Sequence, residues 1–169
     1  LTYGARQDGV ATSSILTMNG SALTLAGNWF ASSTSIYNTS SNTTTFNSTS
    51  TGQQKSIIAT STPFATLTFN GSGGSWTFGA SAATTTGTLT ITAGTVTAPS
   101  TYLSLGGDLS RSGGFTHNSG TTTFYKTSAS QSISSAMTNG NSFNNLEFKG
   151  AATKSFGANL ASTTGNFTV

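Results

Sequence analysis

Phe64-Ala-Thr-Leu67-Thr-Phe69-Asn-Gly71 returns roughly 79 residues later as Phe143-Asn-Asn-Leu146-Glu-Phe148-Lys-Gly150. Each phrase sets two apolar residues two positions apart and closes on a glycine. That is the period of a strand with one buried face, followed by a turn. A long phrase that recurs with its apolar positions in phase marks a modular β architecture, one that grows by adding like units.

Working outward, Leu23-Thr-Leu25-Ala-Gly27-Asn28 returns as Leu103-Ser-Leu105-Gly-Gly107-Asp108. Tyr37-Asn38 aligns with His117-Asn118, Thr44-Thr45-Phe46 with Thr122-Thr123-Phe124, and Gln54 to Ile57 with Gln131 to Ile133. Trp76-Thr77-Phe78 aligns with Lys154-Ser155-Phe156, and Thr88 to Ile91 with Asn166 to Val169. The chain therefore divides into an unrepeated leader, 1–11, a first β repeat, 12–91, and a second, 92–169. It begins at Leu1 and stops inside a strand-like phrase, which reads as a processed subunit or a part of a longer repetitive protein.

Composition narrows the class. Only 5% of the 169 residues are charged, against about 25% in an ordinary globular chain. Ser and Thr supply 63 positions, and they replace the Lys and Glu that favour helix on a soluble surface. Ser, Thr, Gly and Asn enrichment is also the mark of a disordered linker. Here the apolar residues alternate, as in Trp76-Thr-Phe78, Leu89-Thr-Ile91 and Phe167-Thr-Val169, with turn signals such as Asn19-Gly20, Gly73-Gly74, Gly106-Gly107 and Gly113-Gly114 between them. An all-β fold follows. Very short strands with outward Thr, Ser and Asn suit polar ladders stacked about 4.8 Å apart, where like charges would repel. This favours a repetitive parallel β-solenoid, with rungs of about 20 residues and four rungs per copy. An antiparallel β-sandwich or jelly-roll filament subunit is the alternative.

Phe143-Asn-Asn-Leu146-Glu-Phe148-Lys-Gly150, Gly87-Thr-Leu89-Thr-Ile91-Thr-Ala-Gly94-Thr-Val96 and Leu105-Gly-Gly-Asp-Leu109 resemble the Thr/Gly-rich tandem β-strand repeats of microbial cell-surface proteins, adhesins and extracellular fibres. The resemblance implies a secreted, elongated, non-catalytic protein at the cell surface, in contact with copies of itself. It transfers no catalytic residue.

The residues available for chemistry are few. Asp8, Asp108, Glu147 and His117 are the only acids and histidine, and Asp108 aligns with Asn28, Glu147 with Thr68, His117 with Tyr37. General acid–base catalysis needs paired titratable groups, and the first copy lacks all three, so no catalytic residue is assigned. Absence of cysteine excludes thiolate metal sites and disulfides. Calcium wants several carboxylates where Gly106-Gly107-Asp108 offers one, so no metal or cofactor is expected. The net charge of +3 comes from Arg6, Lys55, Arg111, Lys126, Lys149 and Lys154, which are scattered. That argues against a nucleic-acid partner, and no apolar stretch is long enough for membrane insertion.

Three sets of residues carry the remaining expectations. Leu1, Tyr3, Ala5 and Val10 of the leader alternate as a donor strand would, which could polymerise the chain by adding a strand to the open edge of the next copy. Asn19, Asn38, Asn42, Asn47, Asn70 and Asn166 begin N-glycosylation triplets, in a number that chance alone supplies. Trp29 and Tyr102 stand outside the regular pattern as surface aromatics that could stack on a glycan, whereas Phe46, Phe64, Phe69, Trp76, Phe78, Phe124, Phe143, Phe148 and Phe156 read as core. The two functional readings are an extracellular structural subunit and an adhesin or lectin-like glycan-binding module.

Overall fold

The computed structural model describes residues 15–17, 20–31, 36–38, 41–59, 62–80, 82–157 and 159–169. In chain order its strands are β1 Ile15–Thr17, β2 Leu23–Leu25, β3 Trp29–Phe30, β4 Ile36–Asn38, β5 Thr43–Phe46, β6 Gln54–Ile58, β7 Thr66–Phe78, β8 Ala83–Thr85 and β9 Leu89–Thr97. They continue as β10 Tyr102–Leu105, β11 Leu109–Arg111, β12 Gly114–Thr116, β13 Thr121–Phe124, β14 Gln131–Ser132, β15 Asn145–Phe148, β16 Lys154–Ser155 and β17 Phe167–Thr168, with one 3-10 turn at Asn139–Asn141.

Strands pair in parallel with the strand one coil further on: Leu67 with Leu89, Leu103 with Thr122, Leu146 with Phe167. Hairpin neighbours, which a sandwich would pair, are not the partners. The fold is a parallel β-solenoid of about six turns. Each turn contributes to three ladders. The first ladder joins β2, β5, the start of β7, the start of β9 and β11. The second joins β3, β6 and the ends of β7 and β9 to β12. The third joins β8, β10, β13, β15 and β17.

In β7 and β9 the chain passes from the first ladder to the second without leaving the strand, through register shifts at Phe69/Asn70 and Asn70/Ser75. Such bulges bend a strand and increase its twist locally. Gly94 sits at this corner with φ +78°, a left-handed conformation, and an added Cβ would come 2.5 Å from Trp76 Cζ3 and 2.6 Å from the Gly74 carbonyl oxygen. Glycine is required there on both counts.

Alternation sends every second residue inward, and the inward residues stack along the axis. Phe46 lies on Phe69 at 5.3 Å and 14°, and Phe69 meets Trp76 at 5.2 Å. Further along, Phe124 meets Phe143 at 6.0 Å and Phe148 at 5.8 Å, edge to face. One apolar core runs from Leu25 to Leu146. It crosses the junction between the two copies, which falls inside β9. Of the aromatics expected in the core, Phe148 and Phe156 are only partly buried; Phe115, which the sequence pattern does not mark, is fully buried.

The two copies do not stand on the same ladders. Leu23, Thr44, Leu67 and Leu89 form one inward line of the first ladder. Their counterparts Leu103, Thr122, Leu146 and Phe167 form the same line of the third. Likewise Gln54 to Ile57 belong to the second ladder while Gln131 stands in β14, which continues the first through the Leu109–Ile133 bridge. The repeat thus spans three coils and two ladders, in place of four whole rungs. Coils are also uneven, since partners lie 19 residues apart at Tyr102–Thr121 and 24 apart at Thr121–Asn145.

Candidate functional site

Several of the chain's polar side chains fasten one coil to the next. Asn28 and Asp108, aligned by the repeat, play one part: the Asn28 side-chain oxygen accepts from Ser56 N at 2.9 Å, and Asp108 Oδ1 from Ser132 N at 2.9 Å. Asn145 Oδ1 accepts from Asn166 N at 2.9 Å and Asn141 Oδ1 from Phe115 N at 2.8 Å. These replace ladder bonds where the chain turns a corner.

Gln131 is completely buried. Its Nε2 donates to the carbonyls of Leu105 at 2.8 Å and Gly107 at 2.6 Å, and its Oε1 accepts from Lys126 N at 3.2 Å. Beside it the Tyr125 hydroxyl donates to the Thr85 carbonyl at 2.9 Å, reaching back two coils, and burial raises its pKa. Arg111 clamps the following coil through Met137 Sδ and the Ala136 carbonyl, while Ser135 Oγ donates to its carbonyl at 2.8 Å. Partial burial lowers the pKa of its guanidinium.

Asp108, Glu147 and His117 are each hydrogen-bonded to different residues. On the third ladder Glu147 accepts from Thr123 Oγ1 at 2.9 Å and pairs with Lys149 at 3.0 Å, and these two hydrogen bonds, Lys149 first, hold its carboxyl below the usual range. His117 Nδ1 accepts from Ser119 N at 3.0 Å. Lys154 donates to the carbonyls of Lys126 and Ala152, and its pKa is lowered by desolvation and by the nearby Lys126 charge. Among the described residues no three of His, Asp and Glu gather as metal ligands, and no helix is long and apolar enough to cross a membrane.

The residues expected to carry function are dispersed. Trp29 is in β3 on the second ladder, half-buried and 6.2 Å from the Phe64 ring. Tyr102 opens β10 on the third ladder, 55% exposed. They stand on different ladders. Asn47, Asn70 and Asn166 are exposed. Asn42 is not: with 1% exposure, and with neither side-chain polar atom bonded among the described residues, it leaves no room for a glycan in the folded chain. Asn38 lies on the backbone of β4. Asn19 and the leader residues Leu1, Tyr3, Ala5 and Val10 lie outside the described residues.

Sequence reasoning gave no role between coils to Gln131, Tyr125 or Arg111. The only signal for Gln131 was its alignment with Gln54, which is exposed. Comparison with known protein families, with curated proteins and with solved structures finds no match.

Proposed function

We propose that this chain is a non-catalytic structural segment of an extracellular fibrous protein of the microbial surface, in contact with copies of itself through β-strand edges. The observation that supports this reading is the use of polar groups. Asn28, Asp108, Gln131, Asn145 and Arg111 each bond to a neighbouring coil, so the chain's limited polar chemistry is spent on extension along the axis. Parallel ladders leave strand edges that accept further strands, and head-to-tail contacts that do not close give filaments.

Negative-stain electron microscopy of the purified chain tests it. Uniform fibres or end-to-end rods are expected, and removal of residues 1–11 shortens them if the leader is the donor strand. Discrete monomers at all concentrations, together with glycan-array binding that Tyr102→Ala or Trp29→Ala abolishes, would establish the adhesin reading in its place.

A further inference from the structure

On the first ladder the outward residues form a net of hydroxyls. Thr43 is in register with Thr66, and Thr45 with Thr68, which is in register with Thr90. Leu67 pairs with Leu89, which sets Thr66 beside Thr88. The result is two rows of three threonines, and Thr24 and Ser110 extend one row at either end. Parallel strands place the rows about 6.6 Å apart and successive coils about 4.8 Å apart.

Four features separate this net from ordinary surface threonine. None of its six hydroxyls makes a hydrogen bond within the chain among the described residues, whereas those of Thr101, Thr123, Ser134 and Ser135 do. The residues between the rows, Thr44, Leu67 and Leu89, are completely buried, so the net rests on packed core. β-branching restricts χ1, which limits the orientations that the methyls and hydroxyls take up along the ladder. No charged or aromatic side chain occupies any of the six positions. The third ladder supplies a built-in contrast. There the counterparts of Thr45 and Thr68 are Thr123 and Glu147, and Thr123 is bonded to a carboxylate that also pairs with Lys149.

An uncharged array of threonines in register, with unspent hydroxyls in two dimensions, suits a partner that is itself a lattice of hydrogen-bonding groups. Glycan platforms use aromatic faces, and anion or cation sites use charge; the net has neither. Its rectangular cell is close in size to the oxygen net on a prism face of hexagonal ice. We propose that the first ladder of this solenoid binds the surface of ice, with water ordered on the threonine net merging into the crystal. This is independent of the fibre reading.

The test grows ice slowly from a dilute solution of the fluorescently labelled 169-residue chain. Inclusion in the ice and inhibition of recrystallisation are expected. Thr45→Tyr with Thr68→Tyr, which sets two bulky rings across the net, reduces inclusion to that of an unrelated soluble protein. Thr84→Tyr, on the third ladder, leaves it unchanged. Circular dichroism verifies folding, and Thr90→Lys replaces the tyrosine pair should that variant fail to fold. Exclusion of the unmodified chain from ice overturns the proposal, as does equal loss in Thr84→Tyr. Concentration-dependent self-association that Thr68→Tyr abolishes, with no ice inclusion, would assign the face to a second copy and overturn it too.

Discussion

Gln131 joins backbone groups of neighbouring coils through one amide with no exposure to water. A buried acceptor or donor deprived of its partner costs about 1–3 kcal/mol. Gln131→Leu keeps much of the volume, orphans the Gly107 carbonyl and the Lys126 N–H, and leaves the Leu105 carbonyl with Tyr125 N as its remaining partner. Urea unfolding should show a loss of at least ~2 kcal/mol. A loss under ~0.5 kcal/mol, the size of a neutral surface change, would mean that water completes the corner. The residue was not legible in the sequence because alignment equates it with an exposed glutamine. The difference is made by the corner that Gln131 faces, not by its own neighbours in the chain.

At the scale of the element, the corners decide what a strand tolerates. A Cβ at Gly107 would lie 2.5 Å from the Gly87 carbonyl oxygen and 2.6 Å from Thr88 N, both backbone atoms of the preceding coil. At Gly27, the position aligned with it, a Cβ meets nothing within 4 Å. Overpacking against atoms that cannot rotate away costs typically 1–3 kcal/mol, so Gly107→Ala should lower the melting temperature by roughly 5 °C or more. Gly27→Ala should leave it nearly unchanged. Equal effects would show that the corner at Gly107 relaxes. Here the sequence was informative about strands and less so about corners. Gly106-Gly107 reads as a turn and is one. Gly73-Gly74 reads as a turn and lies inside β7, while Gly114 of the Gly113-Gly114 signal opens β12, whose Phe115 is core. Two glycines in a row report a tight backbone path, and a bulged strand satisfies that requirement as well as a reversal does.

In the whole molecule, each coil touches its neighbours and little else, so stability is approximately a sum of coils and interfaces. Phe69→Ala, which removes a ring stacked on Phe46, should cost about 3–5 kcal/mol locally. Native-state hydrogen exchange should then quicken across β5, β7 and β9 and remain slow in β13 and β15. Uniform acceleration would instead identify one all-or-none unit. The all-β class, the solenoid and the spacing of strands could be read from alternation and composition. The phase of the repeat could not, because each of the three ladders offers the same buried stripe and an alignment carries no bearing.

That phase has a consequence for anything that grips the shaft. A pattern renewed after three coils and two ladders, on a body of three ladders, points in a new compass direction at each renewal. The threonines of the first copy face one heading, and their relatives in the other copy face another. A flat neighbour would hold such a shaft in one stretch and lose it in the next, whereas a neighbour following a spiral path would keep its hold throughout and resist being peeled away in any single plane.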